Sequence, residues 1–438
     1  MERKKSLRLQ AEGENARPVL LAGDVGGTNC RLILFETRDL KFQSDRAVHR
    51  NVFQNDDFRS FSDVLCRFLS EADSKIPNLR ISVACFAVAG PVSDQRINFT
   101  NRDGWIIDAR DLQSDFDIPS VILINDFVAN GHGLSTLEDE DLIVLQEGKL
   151  DKFAPIALIG AGTGLGECFI TPAAGKHQLA GVYATEGGHV DFAPRNPLED
   201  KMLQYIREKV PHHAEDKNTV PRVSVERIVS GKGLVTIYEF LRTEFPDEVM
   251  SNFDTEIMES NDKGRHIAMS YYNYSLSKRA MDIFFESYGS EAGNVALKFM
   301  PFGGLYIAGG IAPKNVEHIV GQGSRFMDAF SSKGRVRSIL DGIPVYLVMK
   351  EDIGMRGAHF VALNELRSQS QRIRSSPSIE AALASKKTQV VSALKAVNNS
   401  LSKSFTDYSA LWALGTSVLT SGLFAIYITK TLTKALKQ

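Results

Sequence analysis

The chain has 438 residues, 43% apolar and 24% charged, with a formal net charge of -2. That length exceeds one ordinary core and implies two or more domains. The near-zero charge removes the electrostatic ground for a nucleic-acid partner and favours a small molecule or another protein. The four cysteines, Cys30, Cys66, Cys85 and Cys168, show no metal-ligand spacing and are too few for a disulfide framework, which fits a reducing, cytosol-facing environment.

In chain order, residues 1–17 begin basic and turn acidic, have no apolar segment that could serve as a secretory signal, and read as a disordered tail. From Pro18 to Arg367 strand-like apolar runs alternate with helix-like stretches. "VILIND", "IALIG" and "LYIAGG" end in glycine or polar residues, as buried strands of an α/β sheet do, and α/β folds place ligand groups at such strand ends. Beyond Ser368 a Ser/Gln-rich linker around Pro377 leads to Leu383, Val390, Leu394, Val397 and Leu401 at helical spacing. The apolar stripe of this expected helix has three candidate partners: the globular body, a second subunit in a homodimer, or a membrane surface.

Residues 408–430 contain no charge before Lys430 and read as a transmembrane helix with Trp412 and Tyr427 near its ends, followed by a basic tail over 431–438. The competing reading is a core helix, because Gly415, Thr416, Ser417, Thr420, Ser421 and Gly422 dilute its hydrophobicity. A single span at this place enters a membrane after synthesis and leaves the rest of the chain facing the cytosol.

Two glycine-rich turns stand out. "LLAGDVGGTNCRLILF" and "LIGAGTGLGECFI" each read as strand, turn, strand. Glycines there let several backbone N–H groups converge into an oxyanion nest, although such turns are often structural only. Asp24 breaks the symmetry, since a carboxylate among phosphate-binding amides repels the ligand unless a cation such as Mg2+ stands between them. The second turn has Ala161 at the comparable place. Neither turn has the P-loop or Rossmann pattern. A further pair, Gly309 and Gly310, ends another strand and reads either as a close approach for an adenosine or as a plain strand-to-helix turn.

Asn125 and Asp126 end "VILIND"; Asp126 is a candidate general base, while Asn-Asp alone is commonly a helix cap. "ATEGGHVDFAPRN" holds Glu186 and His189 on either side of two glycines, placed to bind adjacent hydroxyls; a metal reading lacks a third ligand. Glu226 precedes an apolar helix start, where an acid also suits the helix dipole. Two phosphate turns, a metal-type carboxylate, a base and several hydroxyl-binding groups are the inventory of a small-molecule kinase acting on a polyol or sugar.

Seven stretches, "GDVGGTNCRL", "INDFVANG", "GAGTGLG", "EGGHVDFAPRN", "SVERIVSGKGLVTIY", "GGLYIAGGIAPK" and "GIPVYLVMKEDIGMRGA", in that order resemble the bacterial-type glucokinases over about Leu20 to Leu366. The resemblance implies an α/β, two-domain hexokinase/actin-like ATPase (ribonuclease H-like) fold with a cleft between domains; here a C-terminal helical extension lies outside the resemblance. The domains would run 18–124, completed by about 352–367, and 125–351, followed by 368–407, 408–430 and 431–438. By motif, Asp126 looks like the base for the sugar's 6-hydroxyl. Asn101, Asn125, Glu186, His189 and Glu226 match glucose-binding positions. Gly23, Asp24, Gly26, Gly27, Thr28, Asn29, Gly162, Thr163 and Gly164 match the ATP and Mg2+ positions, with Asp24 reaching the metal through water and Gly309 and Gly310 near the adenosine.

The resemblance thus implies ATP-dependent phosphorylation of D-glucose to glucose 6-phosphate. A catalytically silent membrane-attached sugar sensor, or a kinase for another hexose or amino sugar, stands beside it. Segments Pro194–Val223 and Pro246–Gly264 read as surface insertions. The C-terminal addition reads as an anchor to an organelle membrane, the mitochondrial outer membrane foremost, with a soluble cytoplasmic protein as the alternative.

Overall fold

The apolar runs build two mixed sheets on one repeated plan. The computed structural model describes residues 18–76, 79–99, 105–172, 181–209, 221–374 and 392. The first sheet contains β1 (Val19–Val25), β2 (Asn29–Glu36), β3 (Arg46–Gln54), β4 (Ile81–Val88) and, after the two-stranded ladder of β5 (Arg96–Asn98) and β6 (Ile106–Asp108), β7 (Val121–Asn125). Its order is β3-β2-β1-β4-β7. β1 runs antiparallel to β2 and parallel to β4, and β4 runs parallel to β7, so Val25, Val88 and Asn125 end three parallel strands in register.

The second sheet contains β8 (Leu142–Gln146), β9 (Ile156–Ala161), β10 (Leu165–Thr171), β11 (Gly181–Thr185), β12 (Leu305–Ala308) and β13 (Val345–Val348) in the order β11-β10-β9-β12-β13-β8. Its antiparallel trio β11-β10-β9 and the parallel β12 and β13 repeat the first sheet, with β8 added as an antiparallel edge. The first glycine turn therefore joins β1 and β2 of one sheet, and the second joins β9 and β10 of the other. β1 and β4 are nearly continuous apolar runs because helices cover both faces of the sheet.

α1 (Phe61–Asp73) and α2 (Ala109–Phe116) cover one face of the first sheet with Phe61, Val64, Phe68 and Leu112. α3 (Asp126–Gly133) follows β7 directly. The second sheet packs on α4 (Pro197–Lys209), α5 (Gly231–Glu244), α6 (Ser251–Glu259), α7 (Lys263–Met269), α8 (Ser275–Phe299), α9 (Arg325–Ser331) and α10 (Arg337–Leu340), which contribute Met202, Ile237, Ile257, Ile267, Phe284, Phe330 and Leu340 to one core. α11 (Ile353–Arg374) covers the other face of the first sheet through Met355, Ala358, Ala362 and Leu363. Its first residue, Ile353, joins Leu158, Cys168, Ala308 and Val348 against the second.

α3 is held on two sides by backbone approach. Gly160 and Gly166 face each other across β9 and β10, and the Phe127 ring fills the hollow they leave: a Cβ on Gly166 would stand 1.9 Å from its Cε2, and one on Gly160 3.0 Å from its Cζ. Toward α11, a Cβ on Gly357 would stand 1.7 Å from the Ala129 carbonyl oxygen and one on Gly133 2.2 Å from that of Ile353. Only glycine permits such contacts.

Two expectations change. Pro246–Gly264 is not a surface insertion throughout: Ile257 is buried, the Phe253 ring stacks on Tyr274 at 5.3 Å, and Asp254 accepts a hydrogen bond from the Tyr238 hydroxyl at 2.8 Å. Pro194–Val223 likewise supplies core residues Met202, Leu203 and Ile206. Charged residues on one helical face masked the apolar face in both. α11 itself extends to Arg374, because extending a formed helix needs no new nucleus. Asn101, the helix expected beyond Pro377 apart from Ser392, and the 408–430 stretch lie outside the described residues. Among the described residues no helix is long and apolar enough to cross a membrane.

Gly166→Ala should destabilise the protein by about 2 kcal/mol through overpacking against Phe127. In a double-mutant cycle by denaturant unfolding, adding Phe127→Leu should return part of that loss; strictly additive effects would show that the ring and the glycine pair are not coupled.

Candidate active site

The site grows from the carboxyl ends of β1, β7, β9 and β12. In the first turn, Gly26 N–H donates to Asn29 O at 3.0 Å, closing Gly26, Gly27 and Thr28 between β1 and β2. Asn55, fully buried, fastens the turn from beneath: its Nδ2 donates to Gly26 O at 2.8 Å and its backbone N–H to Thr28 O at 2.9 Å. Gly27 and Thr28 are exposed, and a Cβ on Gly27 would meet nothing within 4 Å. Asn29 opens β2 with its Oδ1 buried and without a hydrogen-bond partner among the described residues. Gly23, expected with the nucleotide set, lies in the core instead: a Cβ there would stand 2.5 Å from Phe86 Cδ1 and 2.8 Å from Leu32 Cδ2, so glycine is required by packing.

Asp24 sits one residue before the end of β1 and accepts a hydrogen bond from Arg31 Nη1 at 3.1 Å across the hairpin. Burial raises its pKa, and the charge and hydrogen bond of Arg31 offset part of the rise. A partly desolvated carboxylate beside open backbone amides is a place where a divalent cation and a phosphate chain fit together.

The second turn is tighter. Gly162 N–H donates to Gly164 O at 2.8 Å around Thr163, and Gly231 N–H donates to Gly162 O at 2.8 Å. Thr163 is exposed, and open space lies over Gly162 where a Cβ would be. Tyr288, buried in α8, anchors the root of the turn by accepting Ala161 N–H at 3.1 Å. Gly309, at φ +85, lies against this root: a Cβ would stand 2.4 Å from Ala161 O. Glycine is thus demanded there twice, by φ and by contact. Gly310 is followed by Ile311, whose N–H donates to Ala161 O at 3.3 Å, so the third glycine pair adjoins the second turn.

Asn125 caps α3: its Oδ1 accepts N–H groups of Phe127 at 2.9 Å and Val128 at 3.2 Å, while Nδ2 donates to Gly90 O at 3.1 Å. The capping role therefore holds for Asn125. Asp126, the first helical residue, accepts Phe127 N–H at 3.0 Å. Burial pushes its pKa up to about 6; the Phe127 N–H opposes the rise and the charges of Asp24 and Glu186 add to it. These two influences tie the first turn, Asp126 and the Glu186 segment to one place.

Glu186 and His189 flank a 3-10 turn over Gly187–His189, both side chains exposed, with His189 Nε2 3.7 Å from Glu186 Oε2. The turn stays beside Glu226 because Phe192 N–H donates to Val223 O at 2.9 Å and Val225 N–H to Val190 O at 2.9 Å. Asp191 pairs with Arg222 at 3.0 Å at the edge of this ladder. Glu226 Oε2 accepts Leu165 N–H at 2.9 Å, and a Cβ on Gly164 would stand 2.4 Å from that oxygen. The sugar-type residues and the second turn thus share a boundary.

Asn55 and Tyr288 carry this geometry from outside every quoted motif, and Arg31 and Phe127 carry it from inside two motifs in which they were assigned no role. The only sequence signal was the glycine pair Gly160 and Gly166, spaced six apart in a predicted hairpin, which calls for something large to fill it.

Two ribonuclease H-like sheets with paired glycine turns, and a partly buried carboxyl between them, define an ATP-dependent hexose kinase with the two-domain sugar-kinase fold. The family model for glucokinase matches residues 21–365. The glucokinase of Nostoc punctiforme is 41% identical over 356 residues, covering 78% of this chain and 98% of the relative. The chain belongs to the glucokinase family. Among solved structures, glucokinase from an Antarctic psychrotroph aligns with a TM-score of 0.61 at 27% identity, covering 79% of this chain and 99% of that one. Balamuthia mandrillaris glucokinase in complex with glucose aligns with a TM-score of 0.63 at 23% identity, covering 83% and 99%.

Proposed function

We propose that this chain transfers the γ-phosphoryl group of ATP to the 6-hydroxyl of D-glucose, with Asp126 as the general base. The observation that carries the reading is the position of Asp126: at a helix start, under the electrostatic influence of both Asp24 and Glu186, with its pKa raised to about 6. Such a carboxylate is ionised at neutral pH yet more basic than an ordinary aspartate, as a base for a hydroxyl should be.

In this reading Glu186, His189, Glu226 and the remaining Nδ2 hydrogen of Asn125 orient the sugar hydroxyls, with Asn101 beside them. Backbone N–H groups of Gly26, Gly27, Thr28, Gly162, Thr163 and Gly164 hold the phosphate chain, and Gly309 and Gly310 admit the adenosine. Asp24 would hold Mg2+ through water, supplying charge neutralisation to the phosphate oxygens when bound. The sugar oxygen forms its bond to the γ-phosphorus, the bond to the ADP oxygen breaks, and the hydroxyl proton passes to Asp126 Oδ and then to solvent. Exclusion of water between the domains, whose limits we place at 18–124 with 352–367 and at 125–351, keeps water from replacing glucose.

The test is initial ADP formation by the full chain with Mg·ATP. Glucose should exceed mannose, fructose, glucosamine, N-acetylmannosamine and no sugar. Asp126→Ala should lower turnover by about a thousandfold. Wild-type kcat/KM should fall as pH drops through about 6 or somewhat lower, since cation binding at Asp24 favours the ionised base. No turnover with any sugar, or near-normal turnover by the alanine variant, would overturn the assignment. We further place the uncharged 408–430 stretch in a membrane; a fluorescent fusion of residues 369–438 should label an organelle surface, and a diffuse signal would remove that part.

A further inference from the structure

Beneath the Glu186–His189 turn lies a pair of buried acids that the proposed chemistry leaves unused. Glu167 sits in β10 opposite Thr185 of β11, is 1% exposed, and presses against Gly187 from below: a Cβ on Gly187 would stand 1.8 Å from Glu167 Oε2 and 2.4 Å from its Cδ. Glu291 of α8 is 4% exposed, accepts Asn294 Nδ2 at 2.9 Å through Oε2, and lies close enough for its charge to act on Glu167. Both Glu167 Oε1 and Glu291 Oε1 are buried with no hydrogen-bond partner among the described residues.

The surrounding groups do not supply the missing donors. From α8, the Tyr288 hydroxyl is engaged with Ala161 N, Ile159 O and Ala308 O. Lys298 Nζ stays 3.6 Å from Glu291 Oε1 with its own side chain half exposed. Lys333 donates to Ser290 O at 2.9 Å and to Asn294 Oδ1 at 2.6 Å. From β11, the Thr185 hydroxyl donates to the Glu167 backbone oxygen at 3.3 Å. On β10 itself the next residue, Cys168, feels the charges of Asp126 and Glu167 and keeps its thiol protonated through burial. Glu291 has Asn294 and the Lys298 charge beside it, so the carboxylate that cannot stay charged in such a place is Glu167. A proton on Glu167 removes that charge.

We propose that Glu167 is a positioning residue for the sugar-binding turn: its carboxyl is held neutral, and the neutral carboxyl sets the height of Gly187 and thereby of Glu186 and His189. The inference rests on the reading of that turn as the sugar site. Burial, and then the charge of Glu291, push the Glu167 carboxyl up to about 7, with Lys298 opposing, so the proton is held at neutral pH and released above it. Its release would set two anions against each other beneath Gly187. Glucose binding weakens while the chemistry at Asp126, already ionised, is untouched.

The experiment measures KM for glucose and kcat of the full chain from pH 6.5 to pH 9. In the wild type, KM should rise about fivefold across the range with kcat nearly constant. Glu167→Gln keeps the size and a donor but has no titrating proton, and its KM should stay flat; Glu291→Gln removes the charge that adds to the effect of burial on Glu167, so its KM rise should begin at lower pH, which serves if the first variant does not fold. A wild-type KM that does not change with pH, or Gln variants that keep the wild-type rise, would overturn the proposal while leaving the kinase reading intact. Absence of glucose turnover by the wild type at every pH would overturn the kinase reading and this inference with it.

Discussion

The contact on which the site depends is the Phe127 ring seated in the hollow between Gly160 and Gly166. Phe127 follows Asp126, and the two glycines belong to the hairpin that carries the second glycine turn. One apolar contact therefore fixes the candidate base of one sheet relative to the phosphate-type turn of the other. The opposite side of α3 is closed just as tightly by Ala129 against Gly357 and Gly133 against Ile353. With backbone on both sides, α3 has little room to slide, and Asp126 inherits that rigidity. Positioning of this kind is the main contribution a protein makes to phosphoryl transfer.

The same placement has an electrostatic consequence. Asp126 is desolvated by the packing around it and stands within the influence of Asp24 and Glu186, so its charged form is disfavoured. Moving a carboxyl from its ordinary 3.8 to about 6 corresponds to roughly 3 kcal/mol against the charged form at neutral pH. Asp24 is disfavoured in the same direction, with Arg31 in partial compensation. A cation and a hydroxyl donor are the ligands that relieve such a set. Binding and chemistry thus draw on an instability built into the unliganded fold.

Much of this was legible in the residues. The two turns announced themselves through glycine spacing, and Asp24 through a carboxylate where a nest should repel one. What the sequence concealed was support from a distance. Asn55 is an unremarkable residue in "FQNDDF", yet it is wholly buried and ties Gly26 and Thr28 in place. Tyr288 lies 127 positions from the amide it receives. Gly23 looked like part of the turn because it adjoins Asp24, but strand alternation points it at Phe86 and Leu32. Asn125 was read both as cap and as ligand; two of its three hydrogen bonds to backbone form the cap, and one Nδ2 hydrogen stays available to a ligand. Local spacing reports local chemistry, and tertiary contacts between distant, ordinary residues leave no mark in it.

The most direct test of the account compares the unfolding free energy of wild type and Asp126→Asn, without ligands, from pH 4 to pH 8. An aspartate whose folded pKa is raised contributes its stability below about 3.8 and loses it as pH rises through about 6. The Asn variant should therefore be more stable than wild type at pH 8, by up to roughly 3 kcal/mol, with the gap narrowing toward zero near pH 4. A gap that does not change with pH, or a wild type that is the more stable at pH 8, would contradict the claim that the fold disfavours the charged form of this carboxyl.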